Sequence, residues 1–422
     1  MSDVHRVRQL GEPVDAVVRV PGSKSIANRA LICAALASGT SELSNIPDGD
    51  DTAAMLAGLR ELGRDVHLHG EQVSVSGGPV DWPPSRLYAG LAGTTSRFLT
   101  ALAALGSAPV VVDGAPPLRE RPFGPLHDAL TQIGVAVSPG ASSGHLPATV
   151  QGPPSSGQVT IRGDVSSQYV TALMLIGPRL PGGLDLTLSS PLISRPYVEL
   201  TAAVMAAFGR PDVGVGDALI RVAAGSYEAA DLVIEPDASS ASYPLAVAAV
   251  AGGSVTVVGL GAGSLQGDAR FADLLADMGC HVERTSDSVR VVRGSEPLRG
   301  IDVDMADVSD LVPTLAVVAA TASSPSRIRG VGFIRRKESD RLGDLAGELR
   351  RAGVGVSETA DGLVIEPSTG RLVPARLATH HDHRLAMAFA VLGCLVDGIE
   401  VESPDVVGKS WPGFWTMLDG LR

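Results

Sequence analysis

The sequence has few cysteines, few aromatic residues and no long hydrophobic run. Cys33, Cys280 and Cys394 are too few and too scattered for a disulfide framework or a cysteine-type zinc site, so we expect a reducing, cytoplasmic environment. No apolar segment approaches the roughly 18 residues of a membrane-spanning helix. The opening segment MSDVHRVRQLGEPVD lacks the apolar core of a signal peptide. An aromatic content of 4% predicts a core built from Ala, Val and Leu.

Positive charge is scarce, and lysine especially so. The net charge of -12 argues against general affinity for nucleic acid, although it allows a local basic pocket for a small anion. Of the 34 basic residues only Lys24, Lys337 and Lys409 are lysines. A compact, titratable ammonium can approach a phosphoryl oxygen as a point charge or pass a proton, which a guanidinium cannot do. We therefore predict that the three lysines lie in anion-binding motifs.

The chain contains an internal repeat. At 422 residues it is too long for one ordinary core, which favours two domains. Six Ala/Leu-rich segments with helical character recur about every 70 residues. A β-branched strand, a second amphipathic helix and a strand pair follow most of them, and the last repeat ends early. We predict an α/β protein with three repeats in each of two lobes. The six segments are NRALICAALASG, SRFLTALAALG, SQYVTALMLIG, SYPLAVAAVAGG, LVPTLAVVAATAS and DHRLAMAFAVLG.

Polar and charged residues precede or open most of these apolar helices. A helix N-terminus has free N–H groups and a partial positive charge, so it binds anions. The segment PGSKSIANR places Lys24, Ser25 and Arg29 at the first such start. Its spacing is not that of a P-loop. The motif is typical of a phosphate or carboxylate site, although a serine cap with incidental charges is the simpler alternative.

Three further motifs in the first half follow the same pattern. Glycine before a helix lets a ligand approach the backbone, but each motif also has a simpler explanation as a loop glycine, a solvated basic loop or a helix cap. ISRPY, with Ser194, is weak by itself. The candidate residues are Gly93 in LAGTTSR, Arg119 and Arg121 in LRERPFGPL, and Ser166, Ser167 and Gln168 in GDVSSQYVTAL.

The second half adds a candidate base and more cations. In VSDLVPTLAV, Asp310 is either a helix cap or a single carboxylate in a basic pocket, where it would stay ionised and act as a general base. In RRKESDRLGDL, Lys337 and Arg341 are four apart, so they would share one helical face if a helix has begun by Lys337. Glu338 and Asp340 are their candidate partners, or the segment is a surface helix with salt bridges.

Two other motifs suggest chemistry that we consider less favoured. HHDHRLAMAF resembles part of a metal site, but no further cluster with ligand spacing accompanies it, so we expect no metal. Arg384 is better interpreted as an anion ligand at the helix start, with His383 beside it. VTVVGLGAG resembles a dinucleotide fingerprint, with Glu283 near the position of the ribose acid. No helix is predicted to open at that turn, so we expect no dinucleotide cofactor.

Taken in order, the motifs resemble those of the 3-phosphoshikimate 1-carboxyvinyltransferases (5-enolpyruvylshikimate-3-phosphate synthases), of the enolpyruvyl transferase family. The resemblance runs from about Gly11 to the C-terminus. The motifs GDVSSQY and KESDRL resemble those of the glyphosate-sensitive class of this family more than those of the tolerant class. The motifs that carry the resemblance are PGSKSIANRAL, LAGTTSR, RERP, GDVSSQY, DASSASY, QGDARFADLL, KESDRL, DHRLAMAF and GKSWPGF.

The resemblance implies a two-lobed inverse α/β barrel of six βαβαββ units with the active site in the cleft between the lobes. Residues 21–236 would form the N-terminal lobe, and residues 1–20 and 237–422 the C-terminal lobe. The implied reaction moves the carboxyvinyl group of phosphoenolpyruvate to the 5-hydroxyl of shikimate 3-phosphate and releases phosphate, in the pathway to chorismate and the aromatic amino acids. We expect no cofactor, metal, nucleic acid or membrane partner, and a cytoplasmic monomer.

The family's site residues transfer to this chain motif by motif. The resemblance implies that Asp310 takes the 5-hydroxyl proton, and that Glu338, with Lys24, protonates the methylene carbon. The implied ligands of shikimate 3-phosphate are Lys24, Ser25, Arg29, Ser166, Ser167, Gln168, Ser194, Asp310 and Lys337. The implied ligands of phosphoenolpyruvate are Lys24, Gly93, Arg121, Gln168, Arg341, Arg384 and Lys409.

Departures from the family and two rival functions remain to be weighed. The family often has Asn four residues before the lysine of KESDR, where this chain has Phe333, so one substrate contact is in doubt. The sister enzyme that uses UDP-N-acetylglucosamine has a cysteine in the loop matching GAPPLRERP, and this loop has none. A catalytically silent or specialised-pathway homologue, binding a related phosphorylated cyclitol, is the other alternative; the intact charged motifs argue against a silent one.

Overall fold

The computed structural model describes residues 4–367 and 372–421. It divides into two compact units, which we name by their position in the chain. The N-terminal unit comprises Gly22–Ile234, and the C-terminal unit comprises Met1–Pro21 and Glu235–Arg422. The chain thus passes from one unit to the other after residues 21 and 234, compared with the predicted 20 and 236.

Most strands are short, at two to six residues. The strands of the described residues up to position 222 are β1 (Val4–Arg6), β2 (Val14–Val18), β3 (Ala37–Ser38), β4 (Thr40–Ser44), β5 (Asp65–His69), β6 (Gln72–Ser76), β7 (Ser85–Tyr88), β8 (Val110–Asp113), β9 (Ala136–Pro139), β10 (Ala148–Gln151), β11 (Gln158–Ile161), β12 (Leu184–Leu188), β13 (Val213–Val215) and β14 (Leu219–Val222). Those that follow are β15 (Tyr227–Glu228), β16 (Asp231–Val233), β17 (Gly253–Val258), β18 (His281–Arg284), β19 (Ser288–Arg293), β20 (Asp302–Asp304), β21 (Ser326–Arg329), β22 (Val356–Glu358), β23 (Leu363–Ile365), β24 (Arg376–Leu377) and β25 (Glu400–Glu402).

The α-helices include all six that the repeat predicts. Within the described ranges they are α1 (Lys24–Leu36), α2 (Asp50–Glu61), α3 (Gly93–Ala103), α4 (Pro116–Arg119), α5 (Gly124–Gln132), α6 (Ser167–Ile176), α7 (Arg195–Ala207), α8 (Ala238–Ala251), α9 (Phe271–Asp277), α10 (Val312–Ala319), α11 (Gly343–Arg351), α12 (His383–Leu395) and α13 (Phe414–Gly420). Short 3-10 helices cover Gly177–Arg179, Gly267–Arg270, Ala306–Leu311, Gly332–Arg336 and Pro404–Lys409.

Five sheets share one strand arrangement, which confirms the predicted repeat. In each, the first two strands are parallel, and the second pairs antiparallel with a closing hairpin. A sixth sheet, β24-β25-β1, has three strands, as expected from a repeat that ends early. The five four-stranded orders are β16-β4-β6-β5, β7-β8-β10-β9, β11-β12-β14-β13, β2-β17-β19-β18 and β20-β21-β23-β22. Each unit therefore holds three of the six repeats.

Two repeats take their first strand from a distant part of the chain. The N-terminal strand β2 pairs in parallel with β17, with Val14 opposite Gly253. In the same way, β16 pairs in parallel with β4. Each of these strands directly precedes a point where the chain passes between the units, so the C-terminal unit includes the first residues of the chain.

Six central helices form the interior of the two units. In the N-terminal unit α1, α3 and α6 pack on one another, and in the C-terminal unit α8, α10 and α12 do the same. Their Ala- and Leu-rich sequences favour helix, and nearly all their side chains are buried. Helix α8 begins where Asp237 caps the backbone N–H of Ser240, and it ends at Gly252, whose φ is +87°.

None of the helices that the structure describes is long and apolar enough to span a bilayer.

Candidate active site

The start of α1 holds the first predicted lysine. The Ser23 hydroxyl caps the backbone N–H of Ile26 at 3.4 Å, so Lys24 is the first helical residue. Its ammonium donates to Asp51 at 2.9 Å, and that carboxylate is 3% exposed. Asp51 lies in the first turn of α2, and the sequence analysis did not identify it. The pair holds Lys24 in one orientation.

Arg29 lies one turn further into α1 and is buried. Its guanidinium donates to Thr201 at 2.8 Å, to the Ser25 carbonyl at 2.7 Å and to the Tyr197 carbonyl at 3.0 Å. Burial lowers the pKa of Arg29 to about 10. These bonds tie α1 to α7, so Arg29 has a structural role beside its predicted contact with substrate.

The starts of α3 and α6 come together in the same unit. Ser166 caps the N–H of Gln168 at 3.3 Å, and the side-chain oxygen of Gln168 accepts from Arg97 at 2.5 Å. Arg97 was not a predicted site residue, although it closes the motif LAGTTSR. Ser194, at the start of α7, has a left-handed backbone with φ +53°.

Gly93 and Arg121 lie against each other. A Cβ built on Gly93 would be 2.5 to 2.9 Å from the guanidinium atoms of Arg121, closer than side chains pack. The missing side chain is therefore what lets Arg121 cover the start of α3. The N-terminal unit thus collects Lys24, Arg97 and Arg121, together with the polar side chains of α6.

In the C-terminal unit, three cations converge on Asp310. Its carboxylate accepts from Lys337 at 2.6 Å, from Arg341 at 2.9 Å and from Arg384 at 2.7 Å. Burial acts to raise the pKa of Asp310, but Arg384, Lys337 and Arg341 together hold it well below its usual range. Burial also lowers the pKa of Lys337, and Asp310 opposes that effect.

Arg341 is the centre of a wider ion-pair network. Its side chain is 1% exposed and donates to Glu338 at 2.6 Å and to Asp382 at 2.6 and 3.2 Å. Burial acts against its charge, but these carboxylates raise the pKa of Arg341. Asp382, fully buried, also caps α12 through the N–H of Arg384 at 2.9 Å. Lys409 donates to Glu338 at 3.2 Å.

Three details of the predicted site are wrong. Asp310 is not a single carboxylate, because Glu338 and Asp382 also pair with Arg341, one of its three cations. The segment that contains Lys337 and Arg341 lies between a 3-10 helix and α11, so no helical face brings them together.

The third error concerns Asp340. It pairs with Arg335 at 3.0 Å and caps the N–H groups of Leu342 and Gly343. The segment turns at this point because Asp340 satisfies the first free N–H groups near the start of α11.

Two of the histidines near the start of α12 have a described environment. His380 contacts Glu348 at 3.1 Å and Asp344 at 3.6 Å. His383 is 1% exposed at the first turn of α12. Among the described residues no group of three or more His, Cys, Asp or Glu side chains has a metal-binding arrangement.

Another buried carboxylate, which the charge of Asp310 influences, has a raised pKa. Asp268, in QGDARFADLL, is 4% exposed and accepts a short hydrogen bond from Ser239 at the start of α8. Burial, and then the charge of Asp310, raise the pKa of Asp268 to about 6, while Ser239 and Arg384 oppose the rise. Its charge therefore costs stability at neutral pH.

We expect Asp268→Asn to stabilise the protein above pH 6 but not at pH 4. As the pH rises from the ordinary pKa of 3.8 to the folded-state pKa of about 6, Asp268 ionises in the unfolded chain but not in the folded protein. This favours the unfolded state, so the folded wild type loses stability over this range. Above pH 6 the cost reaches its maximum, which is roughly 1–3 kcal/mol. Melting temperatures measured from pH 4 to pH 8 check this, with the exposed Asp185→Asn as control. A difference between variant and wild type that does not grow with pH would contradict it.

The two units thus define a class of protein. Each unit is an α/β assembly whose central helices begin beside buried or half-buried cations, and the C-terminal unit adds carboxylates in contact with them. Such an arrangement binds small, multiply charged anions and can exchange protons with them. The fold and the site are those of an enzyme that acts on anionic substrates.

The chain belongs to the EPSP synthase (3-phosphoshikimate 1-carboxyvinyltransferase) family, whose model matches residues 9–418. A 3-phosphoshikimate 1-carboxyvinyltransferase of Nostoc sp. is 42% identical over 422 residues, with 99% of each chain covered. One from Methanoculleus marisnigri is 43% identical over 419 residues, with 98% of each chain covered.

Solved structures agree with this assignment. An EPSP synthase from Acinetobacter baumannii matches with a TM-score of 0.83 and 25% identity, covering 99% of this chain and 97% of its own. The enolpyruvyl transferase NikO from Streptomyces tendae matches with a TM-score of 0.80 and 19% identity, covering 100% of this chain and 98% of its own. At that identity the second match bears on the fold alone.

Proposed function

We propose that the protein transfers the carboxyvinyl group of phosphoenolpyruvate to the 5-hydroxyl of shikimate 3-phosphate, giving 5-enolpyruvylshikimate 3-phosphate and phosphate. The observation that carries the proposal is the contact of Asp310 with Lys337, Arg341 and Arg384. Such cations bind the anionic groups of substrates, and a carboxylate in contact with them is placed beside the bound substrate, where it can accept a proton. Family membership supports the choice of substrates.

The proposal assigns ligands to each substrate by family membership. The serines of α6 and α1 suit hydroxyl and phosphate groups, and the arginines suit carboxylate and phosphate oxygens. The proposed ligands of shikimate 3-phosphate are Lys24, Ser25, Arg29, Ser166, Ser167, Gln168, Ser194, Asp310 and Lys337. Those of phosphoenolpyruvate are Lys24, Gly93, Arg121, Gln168, Arg341, Arg384 and Lys409.

The proposed base must become more basic when substrate binds. In the free protein, Arg384, Lys337 and Arg341 hold the pKa of Asp310 well below its usual range, which makes it a weak base. Anionic phosphoenolpyruvate and shikimate 3-phosphate draw these cations away from the carboxylate. The pKa of Asp310 therefore rises in the complex, and the carboxylate can accept the proton of the 5-hydroxyl.

The proton balance closes through Glu338. The 5-hydroxyl oxygen bonds to carbon 2 of phosphoenolpyruvate while the methylene carbon accepts a proton from Glu338, assisted by Lys24. In the resulting ketal phosphate, Glu338 takes back a proton from the methyl group, the double bond re-forms, and the bond from carbon 2 to the phosphate oxygen breaks. The leaving phosphate takes the proton that Asp310 received from the 5-hydroxyl, so both carboxyl groups return to their starting states. In the structure Glu338 accepts hydrogen bonds from Arg341 and Lys409, which are both proposed ligands of phosphoenolpyruvate. Binding of this substrate is therefore expected to weaken the contacts of Glu338 as well.

Phosphate release from phosphoenolpyruvate, measured with and without shikimate 3-phosphate, tests the proposal. We expect release only when both substrates are present. No release with both would favour a silent homologue, and release with a related phosphorylated cyclitol in place of shikimate 3-phosphate would favour a specialised pathway.

A cytoplasmic monomer without cofactor completes the proposal, and gel filtration of the active enzyme checks the oligomeric state.

Glyphosate is expected to compete with phosphoenolpyruvate, and Gly93→Ala to weaken the inhibitor more than the substrate. An added Cβ would lie 2.5 to 2.9 Å from the guanidinium atoms of Arg121, a proposed ligand of phosphoenolpyruvate, so this side chain must shift. Crowding of this kind weakens binding of a longer anion more than that of a shorter one. We expect the ratio of the inhibition constant for glyphosate to the KM for phosphoenolpyruvate to rise by about tenfold. Steady-state kinetics of both proteins check this. An unchanged ratio would show that Gly93 does not line the pocket, and Gly214→Ala, in open space, is the control.

A further inference from the structure

We infer that Asp113 and Arg119 form a clasp that positions Arg121 for phosphoenolpyruvate. The inference rests on the proposed function, because Arg121 is assigned there to that substrate. Neither residue is among the ligands that the family implies: Asp113 was not singled out in the sequence, and Arg119 was only a candidate from its motif.

In the structure Arg119 binds a carboxylate of the protein, so it is not a ligand of the anion site. Its Nε and Nη2 atoms donate to the two oxygens of Asp113 at 2.8 and 2.9 Å, a two-pronged ion pair. The carboxylate of Asp113 is 1% exposed, whereas the side chain of Arg119 is 43% exposed. Burial acts to raise the pKa of Asp113, but Arg119, the N–H of Gly114 and Arg86 lower it. The carboxylate therefore stays ionised.

Asp113 also joins the two segments that lead to Gly93 and to α4, the short helix before Arg121. It is the last residue of β8, and one of its oxygens accepts the N–H of Gly114 at 2.8 Å. The carbonyl of Asp113 accepts the N–H of Ala89 at 2.9 Å, and the N–H of Ala115 donates to Gly90 at 2.8 Å. The loop before α3 and the loop before α4 are thus bonded to each other at Asp113.

Arg121 lies between two anchors. On its N-terminal side, Arg119 is fixed to Asp113, and the N–H of Arg121 itself donates to the Leu118 carbonyl at 3.2 Å. On its C-terminal side, the carbonyl of Pro122 accepts from the Tyr169 hydroxyl at 2.5 Å and from Arg97 at 3.2 Å. Removing the first anchor frees the chain that leads to Arg121 while leaving the second in place. Asp113 and Arg119 are therefore positioning residues.

The clasp predicts a selective kinetic effect. We expect Arg119→Gln to raise KM for phosphoenolpyruvate by about tenfold, because a displacement of about 1 Å in a positioned group has effects of this order or larger. KM for shikimate 3-phosphate is expected to stay within about twofold, since Arg121 is not among its ligands. Arg119→Lys is expected to recover part of the loss, because an ammonium still reaches Asp113 with one bond.

A matched control is Arg221→Gln. Arg221 forms an exposed ion pair with Asp185 between β14 and β12 of the same unit, at 3.2 Å. Losing that pair is expected to leave both Michaelis constants unchanged. Asp113→Asn is the second variant: it keeps the shape of the side chain and its bond to Gly114 but removes the charge, so its kinetics should resemble those of Arg119→Gln.

Hydrogen exchange tests the clasp without substrate. Amides of residues 115–121 are expected to exchange faster in Arg119→Gln than in the wild type, with residues 124–132 unchanged. The inference is overturned if this exchange and KM for phosphoenolpyruvate are both unaltered, or if both Michaelis constants rise equally. If the wild type forms no product from the two substrates, the proposed function fails, and the exchange measurement still decides whether the clasp holds the loop.

Discussion

Asp310→Asn is expected to lower turnover by about 10²-fold or more, the scale on which a general base acts. Binding of shikimate 3-phosphate is expected to stay within about tenfold, because its other proposed ligands remain. The reason is the arrangement around Asp310, whose carboxylate contacts Lys337, Arg341 and Arg384, all proposed substrate ligands. Turnover by phosphate release and binding by calorimetry are the measurements.

The pH dependence of the wild type gives a second measurement of the same residue. Because the cations lower the pKa of Asp310 in the free protein and anionic substrates withdraw them, the acid limb of kcat should lie at higher pH than that of kcat/KM. In Asp310→Asn this limb should vanish. Asp302→Asn, an exposed partner of Arg329 in the same unit, is the control. A loss of turnover below tenfold would mean that another group is the base.

Much of the fold could be predicted because the repeat is written in local composition. The six central helices have Ala/Leu-rich sequences and polar starts, and both features act within a few residues. Pairings such as Val14 with Gly253 could not be predicted from pattern, because they join strands more than two hundred residues apart. Only the family resemblance placed the first residues with the C-terminal unit.

The cations of the candidate site were identified from the sequence, whereas some of its carboxylates were missed. Lys24, Lys337 and Lys409 were visible as rare lysines in polar motifs. Each contacts a carboxylate in the structure: Asp51, Asp310 and Glu338 respectively. Of these partners Asp51 was missed, because an Asp in the first turn of a helix is common there and signals nothing by itself.

Asp382 shows why such residues escape detection in the sequence. In HHDHR it lies within two residues of three histidines, which suggest a metal site instead. Its actual partners are Arg341, forty-one positions earlier, and the backbone of α12. Asp340 was mispaired for the same reason, since sequence spacing favoured Lys337 and Arg341 over Arg335. A buried ion pair depends on tertiary packing, and local spacing does not determine it.

Lys24→Arg is expected to lower kcat by about 10²-fold although the positive charge is kept. Lys24 is the first residue of α1, its side chain is 17% exposed, and its ammonium lies 2.9 Å from Asp51. A guanidinium is longer and planar, so it cannot occupy the same point against Asp51. A guanidinium is also a much poorer proton donor than an ammonium. If Lys24 assists Glu338 in protonating the methylene carbon, both properties matter, and the loss corresponds to about 10²-fold, a usual size for acid–base catalysis.

Two further variants separate shape from proton transfer at this position. Asp51→Asn keeps the ammonium but loosens its orientation, so KM for both substrates should rise more than kcat falls, because Lys24 is a proposed ligand of each. Arg221→Lys, an exposed change of the same chemical kind, should alter neither constant. Near-normal kinetics in Lys24→Arg would show that Lys24 supplies only charge. In that case the scarcity of lysine elsewhere in the chain would have no bearing on the chemistry at this helix start.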